Sequence, residues 1–300
     1  MLICGGARPV IYGIYRAIVD PGDRVVFPLP SWNNNHYIHM TGAVGVPLPC
    51  RPEDRFLPTR DDLARALPGA RLVCLNTPLN PTGTALDPDS LRGICDAILE
   101  ENHARERRGE KPVYLMYDQI YWMLTVGNVP HVTPPGIRPE MARYTIFVDG
   151  ISKAFAATGV RVGWAVGPVD VVDRISAVIG HVGAWAPRAE QVATVALLDN
   201  PTATRAYLDR FLEGIAQRLH ALHDGFRRSR RRGCRSNRCP MSAIYLTARI
   251  HPFGRKTPKG ETLTTNDQVR RYVLEAAQLE SFRFQPVRRA GRRRMVPIER

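Results

Sequence analysis

Asp149-Gly-Ile-Ser152-Lys153-Ala-Phe-Ala-Ala-Thr-Gly159-Val-Arg161-Val-Gly163 is the stretch on which the reading of this chain turns. The run Ile146–Val148 before it and Val162–Val166 at its end are short, apolar and β-branched, the pattern of buried strands. Lys153 therefore stands at the end of a strand, flanked by Ser152, Ala154 and Phe155 rather than by other charges. An isolated lysine is ordinarily a solvated charge. One held among small and apolar groups is desolvated, which favours the neutral amine, the nucleophile that a Schiff base requires. Arg161, further along the same stretch, offers a two-pronged guanidinium suited to a phosphate.

Outward from this stretch, strands and helices alternate. Val25–Phe27, Val44–Val46, Leu72–Leu75 and Val113–Tyr117 read as further strands bounded by turn residues. Ile11, Ile14, Tyr15 and Ile18 mark one face of a helix that Pro21-Gly22-Asp23 ends. Asp87-Pro88 is an N-cap with a first-turn proline, opening a helix through about Glu101. The alternation predicts an α/β domain with a mostly parallel sheet over residues 1–195. Residues 196–300 read as a linking helix and an incomplete small C-terminal domain. The long helix from about Pro201 carries the stripe Tyr207, Leu208, Phe211, Leu212, Ile215, Leu219 and Leu222. A strand over Ala243–Ile250 and a helix from about Asn266 to Leu279 follow.

Composition narrows the classes. The chain of 300 residues is 44% hydrophobic and 23% charged, which excludes global disorder. It has no apolar run long enough to cross a membrane and no apolar leader in its first twenty residues. The net charge of +14 resembles a nucleic-acid signal but sits in two windows. Residues 226–239 hold seven arginines and no acid, and residues 281–300 hold seven against Glu299, so the rest of the chain is close to neutral. The windows lack aromatics interleaved with the arginines, which argues against a nucleic-acid partner. The six cysteines show no CxxC pair and no zinc spacing, so no metal site is expected. Cys74 and Cys95 fall in apolar patterns as reduced thiols, and a reducing, cytoplasmic location follows.

Three further motifs carry candidate chemistry, each with a plainer structural alternative. Gly5-Gly6-Ala7 precedes the first helix, where free N–H groups suit a phosphate or simply make a turn. Asn76-Thr-Pro-Leu-Asn80-Pro-Thr-Gly83 follows a strand, and in an open α/β sheet ligands bind beyond the carboxyl ends of strands. Asn80 can project an amide into that crevice or belong to an Asn-Pro turn. Tyr117-Asp118-Gln119-Ile120-Tyr121 ends another strand, where Asp118 is a helix cap or a buried ion-pair partner.

In this order, the Asn80-Pro-Thr-Gly, Asp118-x-x-Tyr121 and Ser152-Lys153…Arg161 elements resemble the class I/II pyridoxal-phosphate-dependent aminotransferases of fold type I, from Ile3 to about Leu222. The resemblance implies a seven-stranded sheet between helices, a homodimer with sites at the subunit interface, and pyridoxal 5′-phosphate as cofactor for exchange between an amino acid and a 2-oxo acid. By it, Lys153 forms the Schiff base with the cofactor and then serves as the proton-shuttling base. Asp118, expected to be buried, pairs with the pyridinium nitrogen. Asn80 and Tyr121 hydrogen-bond the phenolic oxygen, and Ser152 belongs to the cofactor-binding set. Arg161 with the backbone of Gly5, Gly6 and Ala7 holds the phosphate, and Trp32 of Pro30-Ser31-Trp32 stacks on the ring.

Four departures accompany the resemblance. The chain begins close to the phosphate loop, without the family's preceding segment. Gly150 stands where some relatives place a phosphate-binding serine, and Gln119 replaces the usual glutamate. The C-terminal Arg-x-Ser element that clamps the substrate carboxylate has no match. Periodicity stops at Arg227, returns at Pro240 and fails after Glu280, so both arginine-rich windows read as out-of-frame translation of a GC-rich gene. The expected function is an aminotransferase impaired by these departures. Its rivals are a lyase of the same fold, because Lys153 and Asp118 serve both reactions, and a non-catalytic fragment.

Overall fold

The structure is a computed structural model describing residues 1–32, 34–126, 129–228, 235–236, 242–249 and 252–278. Seven strands form one sheet: β1 (Leu2–Cys4), β2 (Arg24–Leu29), β3 (Val44–Pro49), β4 (Ala70–Asn76), β5 (Tyr114–Asp118), β6 (Thr145–Gly150) and β7 (Gly163–Val166). Their order is β1-β7-β6-β5-β4-β2-β3. Neighbours from β3 through β2, β4 and β5 to β6 are parallel, and β7 runs antiparallel to both β6 and β1. The expected mixed, mostly parallel sheet is therefore present. The three-residue β1 lies outside the strands expected from sequence, being too short for a periodic signal.

The helices are α1 (Ala7–Ile18), α2 (Asn34–Thr41), α3 (Arg60–Ala66), α4 (Pro88–Arg108), α5 (Pro134–Ile137), α6 (Val169–Val182), α7 (Arg188–Leu198), α8 (Pro201–Arg228) and α9 (Asn266–Ala277), with a 3-10 turn at Pro139–Arg143. They cover both faces of the sheet. On one face Leu63 of α3 and Leu91, Ile94 and Ile98 of α4 pack on Val73, Leu75 and Leu115. On the other, Val10 and Ile14 of α1 with Ile175 and Ile179 of α6 pack on Leu72, Cys74, Met116 and Ile146. Successive residues of β4 thus feed opposite cores, which is why that strand reads as a continuous apolar run. Each fully buried Leu or Ile contributes about 1.5–3 kcal/mol of transfer free energy.

Two elements depart from expectation. Helix α4 continues to Arg108 instead of ending near Glu101. Its last turns are polar yet buried: Asn102 exchanges hydrogen bonds with the backbone of Val113 (3.0 and 2.7 Å), and Arg105 donates to the carbonyls of Ala70 (2.6 Å) and Leu67 (2.9 Å). An apolar stripe cannot report such a face. Gly109, at φ 66°, supplies the left-handed cap.

The expected strand over 243–250 is replaced by a bridge at Ser242, a turn at Ala243 and a short strand β9 (Ala248–Arg249) paired with β8 (Arg235–Ser236). The reason is tertiary. Ala243 N donates to the Leu124 carbonyl (2.6 Å) and Ser242 Oγ to the Gly83 carbonyl (3.0 Å), so this backbone is satisfied by the site loops.

The stripe of α8 is half-buried, with Phe211, Leu212 and Ile215 packed against Ile120, Tyr121 and Leu124, while Leu222 is exposed. Cys4, Cys50, Cys74 and Cys95 are unpaired thiols, each raised by burial, Cys74 to about 12. No helix among the described residues is long and apolar enough to cross a membrane. The two arginine-rich windows lie almost wholly outside the described residues, as does Leu279.

Candidate functional site

Strands β4, β5 and β6 are parallel and adjacent, so their carboxyl ends bring three separated stretches of sequence to one edge. At the end of β4, Asn76 Nδ2 donates to the Asp118 carbonyl (3.1 Å), and Asn76 Oδ1 accepts from the backbone of Asn80 (2.7 Å). This bond, with Leu79 N to the Thr84 carbonyl (2.7 Å), folds the Asn-Pro-Thr-Gly loop back across the strand ends. Asn80 is buried, and its Nδ2 donates to Tyr121 Oη at 3.4 Å.

Asp118 closes β5. Its carboxyl lies deep in the molecule, as expected, while the residue keeps partial contact with solvent, as a group lining a crevice does. Burial pushes its carboxyl up to about 7, and neighbouring Asp149 adds to the rise. The Ile120 N–H, which donates to Oδ1 at 3.1 Å, and the charge of Lys153 act the other way. Lys153 follows β6 and is half-buried, its Nζ over the ring of Tyr121 at 5.8 Å from the centroid. Ser152 beside it is buried.

Arg161 reaches back to the turn between β1 and α1. Its guanidinium donates to the Gly5 carbonyl (2.8 Å) and the Thr158 carbonyl (2.7 Å). Gly6 has φ 99°, and a Cβ there would overlap that guanidinium. The backbone therefore favours glycine there, and a side chain would displace the Arg161 guanidinium from its bond to the Gly5 carbonyl. Ala7 opens α1, whose first N–H groups face the same corner. Gly150 has equally little room: a Cβ would lie 2.8 Å from Gly163 Cα and from the Val162 carbonyl. A serine does not fit there as the strands now stand. Trp32 lies after β2, next to β4 in the sheet, and is 49% exposed.

The structure thus brings together Asn80, Asp118, Tyr121 and Lys153, and separately Gly5, Gly6 and Arg161. Sequence reasoning missed Tyr245, whose hydroxyl lies 2.8 Å from that of Tyr121 with the rings edge to face. Its only sequence signal is a place in the apolar run after Pro240. Also missed are the partners of Gln119: its Nε2 donates to Asp149 Oδ2 (3.1 Å), and its Oε1 lies 3.2 Å from His131 Nε2. The amide in place of the usual glutamate thus matches a carboxylate opposite it.

These residues fit pyridoxal 5′-phosphate by their chemistry. A crevice-facing carboxylate of raised proton affinity suits a ring N–H, the Asn80–Tyr121 pair offers two polar groups to an oxygen, and Lys153 supplies a primary amine. At the phosphate corner the expectation is corrected in part: the N–H groups of Gly5 and Gly6 already donate to the Ala184 carbonyl (2.9 Å) and the Cys4 carbonyl (2.7 Å), so the donors left beside Arg161 are the first-turn N–H groups of α1 from Ala7 on.

Comparison with known proteins agrees with this geometry. Residues 1–247 match the family described as aminotransferase class I and II. The chain is 28% identical over 280 residues to an aspartate aminotransferase of Rhizobium meliloti, covering 92% of this chain and 65% of that one. It is 30% identical over 254 residues to a probable aspartate/prephenate aminotransferase of Thermus aquaticus, covering 84% and 62% respectively. The crystal structure of the aspartate aminotransferase from Rhizobium meliloti superposes with a TM-score of 0.82 at 27% identity, over 93% of this chain and 66% of that one. The chain therefore spans just under two thirds of the length of these relatives. With the sheet order, the site residues and the match over residues 1–247 in agreement, the chain belongs to the class I and II aminotransferases.

Proposed function

We propose that the protein is an aminotransferase moving an amino group between an amino acid and a 2-oxo acid, with pyridoxal 5′-phosphate held at the carboxyl edge of the sheet. The observation that carries this reading is the convergence of Lys153, Asp118 and the Asn80–Tyr121 pair at one edge. The family names of its relatives make a dicarboxylic amino acid the first substrate to assay.

When bound, the cofactor supplies an aldehyde and an electron-withdrawing ring that stabilises negative charge at the substrate Cα. Asp118 holds a proton at the ring nitrogen through its carboxylate. Asn80 and Tyr121 orient the phenolic oxygen, and Trp32 covers a ring face by stacking. Arg161 and the first N–H groups of α1, from Ala7 on, would bind the phosphate, with Gly5 and Gly6 shaping the turn, and Ser152 would belong to the same cofactor-binding set. Lys153 Nζ would hold the cofactor at its aldehyde carbon and would take and return the proton at the substrate Cα.

Residues 1–195 form the cofactor-binding domain in this reading, and 196–300 the linking helix and an incomplete small domain. The four unpaired thiols accord with a cytoplasmic setting.

The test is the visible absorbance of purified protein with and without pyridoxal phosphate. Lys153→Ala loses the visible band while its circular dichroism stays native, and an unchanged spectrum in the mutant removes Lys153 from this role. A half-reaction assay separates transamination, which converts the cofactor aldehyde to its amine, from elimination by a lyase of the same fold, which does not.

A further inference from the structure

Beside Asn80 and Lys153 lies a pair of hydroxyls whose outer member has no role in the reading above. Tyr245 Oη stands 2.8 Å from Tyr121 Oη, with the rings edge to face and their centroids 5.7 Å apart. Backbone contacts on either side of Tyr245 hold it there. The Ala243 N–H donates to the Leu124 carbonyl (2.6 Å), Ser242 Oγ to the Gly83 carbonyl (3.0 Å) and Thr247 Oγ1 to the Thr82 carbonyl (3.4 Å). A Cβ on Gly83 would overlap the Tyr245 carbonyl oxygen, so the glycine of the Asn-Pro-Thr-Gly loop lets this segment come near. Tyr121 is 3% exposed, so its hydroxyl depends on protein partners. Lys153 Nζ lies over its ring, and Asn80 Nδ2 donates to its oxygen at 3.4 Å.

A tyrosine hydroxyl has one proton to give and two lone pairs with which to accept. The Asn80 amide nitrogen only donates, so it fills one acceptor position on Tyr121 Oη. The bond to Tyr245 can run either way. If Tyr121 donates, its proton is taken up by Tyr245, and its oxygen has only lone pairs for the phenolic oxygen of the cofactor. If Tyr245 donates, Tyr121 accepts twice and its own proton is free for that oxygen. Among the described residues Tyr121 is the hydrogen-bond partner of the Tyr245 hydroxyl, so no other acceptor there competes for the Tyr245 proton. We propose that Tyr245 is a positioning residue: its hydroxyl donates to Tyr121 Oη and so turns the Tyr121 proton towards the phenolic oxygen of the cofactor. A hydroxyl that accepts hydrogen bonds is also a stronger donor, because such chains polarise one another. Donation to the phenolic oxygen favours its ionised form. This inference rests on the cofactor-binding reading of the site. The contact between the two hydroxyls is a property of the cofactor-free protein.

Tyr245→Phe keeps the ring packed edge to face and removes the hydroxyl alone. The first arm melts the cofactor-free chain as wild type, Y245F, Y121F and the double variant. Because the hydroxyls meet, the Tm losses are not additive, and the double variant melts close to the less stable single one. Additive losses overturn the proposal. The second arm measures binding of pyridoxal 5′-phosphate and of its 3-deoxy analogue, which lacks the phenolic oxygen, by equilibrium dialysis. Y245F weakens binding of pyridoxal phosphate by about two- to tenfold, the range of one hydrogen bond, and leaves that of the analogue unchanged. In a Tyr121→Phe background the same substitution has no further effect, because Tyr245 acts through Tyr121. A merely structural Tyr245 would lower both affinities equally, and that result overturns the proposal. So does tighter binding of pyridoxal phosphate by Y245F, which would mean that Tyr121 donates to Tyr245. A chain whose hydroxyls are coupled but which binds neither ligand overturns the cofactor-binding reading and this inference with it, whereas equal losses on bound ligands overturn this inference alone.

Discussion

At Asp118, depth and charge conflict: burial favours the neutral carboxyl, while the nearby charge of Lys153 favours the carboxylate. Burial holds the Asp118 carboxyl near 7 and that of Asp149 near 6, against 3.8 for an ordinary aspartate. Both groups bind protons more tightly in the folded chain than in the unfolded one. Their contribution to stability is therefore greatest near pH 4 and is lost as pH rises through 6 and 7. His131, depressed to about 4 from 6.5, works in the opposite sense between those values. The difference between variants isolates one group. Asp118→Asn gains thermal stability relative to wild type as pH is raised from 4 to 7.5, and little below 4. A difference in Tm that stays constant with pH would show that Asp118 ionises normally. These proton affinities could not be read from the motif, because Gln119, Trp122 and His131 are partners chosen by the fold.

At the scale of elements, the site depends on how closely β7 approaches the turn between β1 and α1. A Cβ on Gly163 would lie 2.6 Å from the carbonyl carbon of Gly6 and 2.7 Å from the backbone nitrogen of Ala7. Those neighbours are backbone and cannot rotate away. Gly163→Ala should cost about 1–3 kcal/mol in urea unfolding, the usual price of overpacking, and weaken the phosphate corner. Gly159→Ala, with open space around the added carbon, should change stability by no more than about 0.5 kcal/mol. Equal effects would mean that β7 relaxes freely. The strand at 162–166 was legible from its apolar run, and its contact with Gly6 was not. Likewise the start of α4 was visible in Asp87-Pro88, but its end was hidden by Asn102 and Arg105, polar residues buried only because carbonyls of β4 and its neighbours await them.

Across the whole molecule, one side carries more exposed apolar surface than scattered residues would. Val192 and Val195 of α7 are 60% and 57% exposed, and Trp185, Val182 and Leu198 are exposed nearby. Residues 185–192 fall on this side, whereas residues 5–12 are mostly buried or half-buried. We propose that a second copy covers α7. Sedimentation equilibrium should give a dimer for wild type and a monomer for Val192→Glu/Val195→Glu, and a stable wild-type monomer would refute this.

Turnover is also a whole-molecule property. The Arg-x-Ser carboxylate clamp implied by the resemblance has no counterpart in the sequence, and two charge-assisted hydrogen bonds of that kind contribute about 3–6 kcal/mol together. If both arginine-rich windows are out-of-frame translation, as expected from the sequence, restoring the frame there together with the family's preceding segment should raise kcat/KM for transamination by about two to four powers of ten. Comparable values for the two versions would show that the windows do not limit activity.

The local signals of this sequence determined six of the seven sheet strands, helix α1, the start of α4, the long helix α8 and α9, the placing of Lys153, Asp118 and Asn80 at strand ends, and the family. Periodicity, caps and short motifs are carried by neighbouring residues and survive in one dimension. Only the tertiary structure decided that residues 242–247 fold onto the Asn-Pro-Thr-Gly loop, that Tyr245 meets Tyr121, and that Asp149 is buried with three donors of its own. Those contacts join positions up to 165 residues apart, as for Thr247 and Thr82. A buried polar group must find its partner wherever the packed chain brings one, and local sequence does not encode where that is.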